Sequence, residues 1–414
     1  MRANIQKNDK FVLSNHSQMY NFDEIIDRRG TRCIKYDTLD SHFGRNDLRA
    51  LWVADMDFAT PDFIVDCLKQ RLEHPVLGYP STGDDYTSLL ASWVEDLHGW
   101  KVSPENICYI PGIVKGIAMV ERALLSPGDK VIIQEPVYNP FRHTAEACGF
   151  EVVNNSLKPI YDADGFLLRY EMDLEALEQQ IDEHCRLLVL SNPHNPCGVC
   201  FSEDSLRSLA HICNFHGITV ISDEIHAEML LGGGRHIPFA SVSAEAAECA
   251  VTFMAPSKTF NIAGVVSSYC IIENAVLRKK VFGYVESLEM DYPSIFSSLA
   301  TRAAYSEKGK IWRAEMLDYV EKNVDFVQEW LSGRLPQVHA VRPQASFLVW
   351  LDCRKLGLEQ EALVDLFVNK AGLALNDGTQ FGKEGAGYMR LNVGCPRQML
   401  AEALESLEKA VKNL

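Results

Sequence analysis

The chain has 414 residues, 47% of them hydrophobic, and a formal net charge of −16 at pH 7. A chain of this length can bury a large core without disulfides or metals, and it is expected to form more than one domain. The acidic balance argues against a protein that binds nucleic acid or anionic membranes, although a local basic pocket could still hold one phosphate.

The sequence predicts neither a membrane-spanning helix nor a signal peptide. No apolar stretch approaches the roughly 20 residues of a membrane-spanning helix, and Met1–Lys10 has no apolar segment of the signal-peptide type. We therefore expect a cytoplasmic protein. Its 12 cysteines are then expected to be reduced thiols, most of them buried.

Short apolar runs alternate with helical patterns through the middle of the chain. Helical periodicity marks 61–73, 84–98, 113–125, 139–148, 171–183 and 203–216. The apolar runs are Ile107–Ile110, Lys130–Ile133, Arg186–Leu190, Ile218–Ser222, Ala250–Met254 and Ser267–Ile272. Strands that alternate with helices predict an α/β fold with a mainly parallel sheet covered on both faces.

The pattern changes after about residue 300, where a smaller α+β unit is predicted. Its elements are a long, mostly helical segment 300–332, a strand Ala345–Leu351, a helix 359–371, a strand Tyr388–Val393 and a helix 397–412. We divide the chain into a large domain at 60–300 and a small domain at 301–414. The N-terminal segment 1–59 has little regular pattern and is expected to pack on the small domain.

Polar residues follow several of the predicted strands, at the edge where ligands bind in parallel sheets. Lys258 follows the run 250–254, and a lysine at this edge suits imine chemistry if burial lowers its pKa. Asp223 ends another strand, where it could neutralise a cationic ring nitrogen or simply cap a helix. The two Asn-Pro steps around Asn195 favour a rigid turn that could aim this side chain at a ligand.

Two further positions suit anionic groups. The turn with Gly112, between a strand and a helix, would leave free N–H groups that could cradle a phosphate. Arg390 lies in a predicted apolar strand, where it needs either a substrate carboxylate or a structural ion pair.

Two patterns are typical of metal sites but are too incomplete to predict one. Asp223, Glu224, His226 and Glu228 lack a distant pair of ligands. Cys197 and Cys200 match C-x-x-C without a second such pair, so half-buried thiols are the better interpretation. We predict no metal.

Taken together, these residues resemble the aspartate aminotransferase superfamily, the fold type I enzymes that use pyridoxal 5'-phosphate (PLP), over nearly the whole chain. The motifs are similar to those of its C–S lyase branch, which includes cystalysin and cystathionine β-lyases of the maltose-regulator type. The motifs concerned are Trp52–Phe58, Val76–Tyr79, Pro136–Tyr138, Ser222–His226 and Ala255–Gly264. The resemblance implies a large domain with a seven-stranded sheet and a smaller α+β domain.

The resemblance also implies roles for single residues. Lys258 would carry the cofactor as a Schiff base and act as the catalytic residue. Asp223 would pair with the ring nitrogen, Asn195 would bond the phenolic oxygen, and Tyr138 would stack on the ring. The remaining implied contacts are the backbone N–H groups of Gly112, Ile113 and Val114 to the phosphate, cofactor contacts from His226 and Ser257, Tyr79 from the neighbouring subunit of a homodimer, and Arg390 to the substrate carboxylate.

The chain departs from the usual aminotransferase pattern at three positions. His226 replaces a tyrosine, Val266 an arginine, and Ala255 a serine. The first two departures are familiar in the C–S lyase branch, and the missing arginine leaves phosphate binding incompletely explained. Asn139 stands at a position that can hold a second tyrosine in cystalysin-like enzymes, so the resemblance does not extend to the leaving-group pocket.

The resemblance therefore implies a PLP-dependent carbon–sulfur β-lyase that cleaves cystathionine, cysteine or related S-cysteine conjugates to a thiol, pyruvate and ammonia. One alternative is a class I/II aminotransferase, in which the same carbanion is reprotonated on the cofactor. A second alternative, from a different class, is a PLP-binding partner of a transcription regulator.

Overall fold

The computed structural model describes residues 19–414, so the expectation for Met1–Lys10 lies outside the described residues. Fifteen strands are present in this part of the chain. They are β1 (Arg49–Ala50), β2 (Ile107–Ile110), β3 (Lys130–Ile133), β4 (Glu151–Asn154), β5 (Lys158–Tyr161), β6 (Leu167–Glu171), β7 (Cys185–Ser191), β8 (Thr219–Asp223), β9 (Ala250–Met254), β10 (Ser268–Ile271), β11 (His339–Val341), β12 (Leu348–Asp352), β13 (Leu373–Ala374), β14 (Asn376–Asp377) and β15 (Tyr388–Asn392).

Fourteen α-helices accompany the strands within residues 19–414. They are α1 (Ile34–Asp37), α2 (Leu39–Phe43), α3 (Asp62–Leu72), α4 (Tyr86–His98), α5 (Ile113–Leu124), α6 (Pro140–Cys148), α7 (Leu174–Gln180), α8 (Glu203–His216), α9 (Ala244–Cys249), α10 (Ala275–Ser287), α11 (Ile295–Ala304), α12 (Glu307–Arg334), α13 (Gln360–Asp365) and α14 (Arg397–Lys412). Their ends follow local chemistry. At α8, for example, the hydroxyl of Ser202 accepts the N–H of Ser205, and Gly217 ends the helix in the left-handed region.

The large sheet has seven strands in the order β2-β10-β9-β8-β7-β3-β4. Strands β9, β8, β7, β3 and β4 are mutually parallel, and β10 runs antiparallel between β9 and β2. Every residue of β2, β9 and β10 is buried, as expected for a sheet covered on both faces. The predicted α/β class with a mainly parallel, seven-stranded sheet is confirmed.

Parallel pairing brings the carboxyl ends of the central strands to one edge of this sheet. Ser191, the last residue of β7, pairs with Asp223, the last residue of β8, and Asp223 in turn registers with Phe253 near the end of β9. The segments that leave these strands carry Asn195, Asp223 and Lys258. The chain connectivity therefore places these three side chains at one edge, although 63 residues of sequence separate the first from the last.

A second sheet of four antiparallel strands has the order β11-β12-β15-β14. Arg390 in β15 lies opposite Trp350 of β12 on one side and Asn376 of β14 on the other. The strand predicted at Ala345–Leu351 lies at Leu348–Asp352 instead. Ala345 forms an isolated bridge to Leu230, and the left-handed Ser346 (φ 77°) separates that bridge from the strand.

The described part of the N-terminal segment contacts the region after residue 300. Strand β1 pairs in parallel with β13, and the N–H of Asp57 donates to the carbonyl of Gly394 at 2.8 Å. A separate small core joins Leu39, Trp52 and Val368.

Several features were not anticipated from the sequence pattern, and three of them concern predicted or neighbouring segments of the main elements. The helical segment predicted at 300–332 is two helices, because α11 ends at Ala304 and the hydroxyl of Ser306 caps the start of α12. The edge strand β4 is only partly buried, and the hairpin β5–β6 lies outside the main sheet, so neither has a continuous apolar run.

None of the helices within residues 19–414 combines the length and the apolar character needed to cross a membrane.

The start of α12 yields a stability prediction with a control in the same helix. A Cβ on Gly309 would lie 1.8 Å from the backbone oxygen of Ala304, whereas a Cβ on Gly333 would meet open space. We expect Gly309→Ala to lower the free energy of unfolding by about 1–3 kcal/mol, since backbone must move. Gly333→Ala should raise it by about 0.5–1 kcal/mol. Denaturant unfolding of both variants checks this, and equal effects of the two changes would contradict it.

Candidate active site

A cavity of about 280 Å³ opens at the carboxyl edge of the large sheet. Nine of the residues singled out in the sequence line it, namely Gly112, Ile113, Val114, Tyr138, Asn195, Asp223, His226, Ser257 and Lys258. Arg390 adjoins the cavity through Asn195, because its Nη1 donates to Asn195 Oδ1 at 2.9 Å. The structure therefore brings together ten of the eleven predicted site residues.

Lys258 supplies a partly buried amine to the cavity, which Lys115 also lines. It follows β9 in a loop of buried residues, and its Nζ donates to the carbonyl oxygen of Ala54 at 2.6 Å. Loss of hydration lowers the pKa of Lys258 to about 8, against the opposing effect of the nearby Asp55 and Asp223 carboxylates. A substantial fraction of this side chain is therefore the neutral amine at physiological pH, as a nucleophile or a base requires.

Asp223 is a buried carboxylate at the end of β8, with 6% of its surface exposed. Its Oδ1 accepts the N–H of Ile225 at 3.1 Å. Burial raises the pKa of Asp223 to about 7, and the nearby Lys258 acts in the opposite direction. Among the described residues it has no ion-pair partner within 4 Å. A cation placed beside it would therefore be held strongly.

Arg390 is a guanidinium almost without exposure, at 4%. Its Nη2 donates to the carbonyl of Trp52 at 2.9 Å and to Asn376 Oδ1 at 2.6 Å, and its Nε has no partner. The alternative of a structural ion pair finds no carboxylate in the part of the chain that the structure describes. Burial lowers the pKa of Arg390 to about 10, so it remains a cation that lacks a counter-ion.

The amino end of α5 faces the cavity with free amides. Within residues 19–414, the N–H groups of Ile113 and Val114 have no acceptor, as the first turn of a helix predicts. Gly112 differs from the expectation. Because β10 lies beside β2, its N–H donates to Ser268 Oγ at 2.9 Å and is already engaged. Its φ of +106° makes it a turn residue that directs the following amides.

His226 contributes a neutral imidazole. Burial, together with the neighbouring Lys258 and Arg390 charges, lowers its pKa to about 3. Its Nδ1 is buried and has no hydrogen-bond partner among the described residues. An additional polar group in the cavity would satisfy this atom.

The acidic run after β8 does not converge on a metal position. Glu224 accepts hydrogen bonds from Ser222 Oγ at 2.8 Å and pairs with His236 at 2.6 Å. Glu228 is held instead by the Trp93 indole and the Tyr305 hydroxyl. Within residues 19–414, no group of three or more His, Cys, Asp or Glu side chains is arranged for a metal.

The C-x-x-C pair consists of two free thiols. Burial raises the pKa of Cys197 well above its usual value and that of Cys200 to about 12. Neither side chain therefore supplies a thiolate near neutral pH.

Tyr79 is the predicted site residue that does not reach the cavity of its own chain. Its side chain is fully exposed, at 103% of the reference area. Val266, which stands where an arginine was expected by comparison, does line the cavity.

Ala54 and Ser268 are functional positions that the sequence reasoning missed. Ala54 contributes its backbone carbonyl, which every residue type has, so the identity of the side chain does not indicate this role. The only signal in the sequence is that Ala54 lies inside the Trp52–Phe58 motif. Ser268 acts on Gly112, and only the pairing of β2 with β10 reveals this.

The comparisons agree with this geometry. The family model for aminotransferase class I and II matches residues 44–407. The chain is 40% identical to cystathionine beta-lyase PatB of Bacillus subtilis (strain 168), over 94% of this chain and 100% of that protein. Cystalysin from Treponema denticola, whose crystal structure contains PLP, superposes with a TM-score of 0.90 at 30% identity, covering 95% and 99% of the two chains. The PLP-bound C-S lyase from Staphylococcus hominis gives 0.87 at 31% identity, covering 95% and 98%.

The resemblance inferred from the motifs is therefore confirmed, and the chain belongs to the aminotransferase class I and II family.

Proposed function

We propose that the protein is a PLP-dependent C–S β-lyase that converts S-cysteine conjugates, such as cystathionine or cysteine, to a thiol, pyruvate and ammonia. One observation carries the proposal. A partly buried amine, Lys258, shares a cavity with a buried carboxylate, Asp223, while a guanidinium without a counter-ion, Arg390, adjoins them. The names of the relatives with 30–40% identity over almost the whole chain support this choice.

The residues of the cavity fit PLP. The amine of Lys258 suits its aldehyde, the Asp223 carboxylate suits a protonated ring nitrogen, and the free amides of Ile113 and Val114 suit its phosphate. The positively charged N-terminus of the 12-residue helix α5 adds to the last contact. When bound, PLP draws electrons away from the Cα of an attached amino acid.

Four other side chains would surround the ring. The Asn195 Oδ1 already accepts from Arg390, which leaves its amide NH₂ to donate to the phenolic oxygen. Tyr138 would stack on the ring face. His226 and Ser257 line the same cavity and would complete the contacts.

Arg390 would hold the α-carboxylate of the substrate. Its guanidinium has two bonds to uncharged oxygens on Nη2 and a free Nε, so it still lacks the charged acceptor that it would bind most strongly. Holding the carboxylate in one place also fixes the direction of the Cα–H bond.

Lys258 would move the proton at Cα. With a pKa of about 8 it can be neutral when it accepts a proton, and the Ala54 carbonyl at 2.6 Å then holds the resulting ammonium. Elimination needs this proton transfer and a good leaving group at Cβ. Transamination, the second candidate that the family description favours, needs in addition a proton delivered to the cofactor carbon.

A homodimer would complete the site. Several large hydrophobic side chains near Tyr79 are exposed in the single chain. Val76 and Leu77 precede it in sequence, and Tyr292 lies close enough to interact with its charge. We infer that a second copy covers them, and that each Tyr79 reaches the phosphate of the partner's cavity. A cytoplasmic location fits the 12 free cysteines.

The reaction class is tested by direct competition. Pyruvate and thiol release from cystathionine should exceed amino transfer from alanine to a keto acid by at least ~10-fold in kcat/KM, about 1.4 kcal/mol in barrier. Lys258→Ala should lose ~10²-fold or more of either activity, because the general base is gone. Coupled assays measure both rates. Faster transamination would reject the lyase and leave the cofactor site in place.

The Asp223 carboxylate predicts a pH-dependent stability. Its pKa is about 7 in the folded chain against 3.8 for an ordinary Asp, so its ionisation opposes folding as pH rises from about 4 to 7. In cofactor-free protein, Asp223→Asn should therefore melt above wild type at pH 8 and near it at pH 4. PLP should raise the melting temperature of wild type more than that of the variant, since the ring nitrogen supplies the missing cation.

Melting curves at the two pH values, with and without PLP, check this, and Asp164→Asn in an exposed turn is the control. A constant difference between Asp223→Asn and wild type across the pH range would mean that the carboxylate is not the titrating group.

The shared site is tested with mixed dimers. A hybrid of Lys258→Ala and Tyr79→Ala chains has one doubly altered site and one intact site if Tyr79 acts across the interface. Random mixing should then restore about a quarter of wild-type activity. A hybrid of Lys258→Ala and Asp223→Asn chains should stay inactive, because both residues line one chain's own cavity. No recovery in the first mixture would place Tyr79 outside the partner's site.

A further inference from the structure

One short stretch of chain, Trp52–Asp57, touches both cations of the site. Lys258 Nζ donates to the carbonyl of Ala54 at 2.6 Å, and Arg390 Nη2 donates to the carbonyl of Trp52 at 2.9 Å. The two acceptors are two residues apart on the same strip. Any shift of this strip therefore changes the place of the amine and of the guanidinium together.

The strip is fastened from both sides by asparagines. Asn261, three residues after Lys258, donates to the carbonyl of Met56 at 2.9 Å and to that of Phe58, the residue that follows the strip, at 2.8 Å. Asn392, two residues after Arg390, donates to the carbonyls of Val53 and Asp55, both at 2.7 Å. These hydrogen bonds fix the backbone of the strip to the loop that carries Lys258 and to the segment that carries Arg390.

The strip's two carboxylates are held by the N-terminal segment. Arg28 Nη1 donates to Asp55 Oδ1 at 2.9 Å and Asp57 Oδ1 at 2.8 Å, and its Nη2 donates to Asp55 Oδ2 at 2.8 Å. Arg28 Nη1 also reaches the carbonyl of Met56 at 3.1 Å. Lys35, fully buried, binds Asp57 Oδ2 at 2.6 Å. The cluster Arg28, Lys35, Asp55 and Asp57 has two charges of each sign.

Arg28 is the member that joins the two carboxylates through one planar group. A guanidinium fixes direction as well as charge, which an ammonium does not. Its side chain is 20% exposed, so its replacement removes the clamp without burying an unpaired charge as deeply as replacement of Lys35 would.

We propose that Arg28 is a positioning residue, which sets the separation of the Lys258 amine and the Arg390 guanidinium by clamping Asp55 and Asp57 of the strip. This inference rests on the proposed roles of those two cations. The N-terminal segment then contributes to the geometry of the site, although Arg28 does not line the cavity.

The clamp also has an electrostatic consequence at Lys258. The charged or titratable groups facing Lys258 are Asp55, Asp223, Arg390 and His226. Arg28 offsets the charge of Asp55, so its removal leaves one more net negative charge beside the lysine nitrogen. A cationic form of that nitrogen is then favoured, and its titration moves to higher pH.

The experiment compares three variants of the PLP-loaded enzyme. Arg28→Met removes both the charge and the planar clamp, Arg28→Lys keeps the charge alone, and Arg29→Met removes a neighbouring arginine whose ion pair is with the exposed Asp27. For each variant we measure the pH midpoint of the visible absorption of the Lys258-bound cofactor, the kinetic constants for cystathionine, and the melting temperature.

Arg28→Met should move the absorption midpoint to higher pH and raise KM about 10-fold or more, as misplacement of binding groups does. Arg28→Lys should leave the midpoint at the wild-type pH and still raise KM. Arg29→Met should change neither. If Arg28→Met only lowers the melting temperature, or if it matches Arg29→Met, the positioning role is wrong. If the wild-type enzyme releases no thiol from cystathionine, the lyase proposal is wrong. The pH midpoint of the absorption in Arg28→Met would still test the role of Arg28 in that case.

Discussion

A buried guanidinium without a carboxylate is the constraint on which the site depends. Arg390 is held by oxygens of Trp52, Asn195 and Asn376, none of which carries charge. Neutral acceptors satisfy hydrogen bonds but return little of the hydration energy that a buried cation loses. The fold therefore keeps a favourable interaction open for an anion that residues 19–414 do not supply. Asp223 presents the same situation with the opposite sign.

These two unpaired charges explain why elements from the whole chain must meet here. The large sheet supplies Asp223 and Lys258 at the ends of β8 and the segment after β9, whereas β15 of the second sheet supplies Arg390. A relative displacement of the two sheets would separate the charges. Asn195 lies in the segment after β7 and bonds Arg390 directly, and the strip Trp52–Asp57 contacts both sides. The contacts that hold the parts together are thus the contacts that form the site.

The sequence allowed the central strands to be predicted because both faces of the sheet are covered. Runs such as Ile107–Ile110 and Ala250–Met254 are therefore largely continuous and apolar. Parallel pairing of the central strands then brings the polar residues that follow them to one edge of the sheet. The half-buried β4 and the hairpin β5–β6 have no such run. Other features depend on tertiary contacts. Three of them could not be predicted because they use backbone atoms common to all residues or partners far apart in sequence. They are the Ala54 carbonyl that accepts from Lys258, the Gly112 N–H that donates to Ser268, and the ion pair of Arg28 with Asp55.

The distribution of proton affinities in the cavity sets the part that each ionisable group can take in the reaction. His226 is neutral and Arg390 is cationic across the physiological range, and Asp223 is suited to a ring cation. Lys258, with a pKa of about 8, is then the group placed to exchange a proton with Cα. After that transfer the outcome depends on the bond at Cβ. A thiolate there leaves without further help, whereas a substrate without a leaving group must take up a proton again. The same residues therefore support a lyase within a family described as aminotransferases.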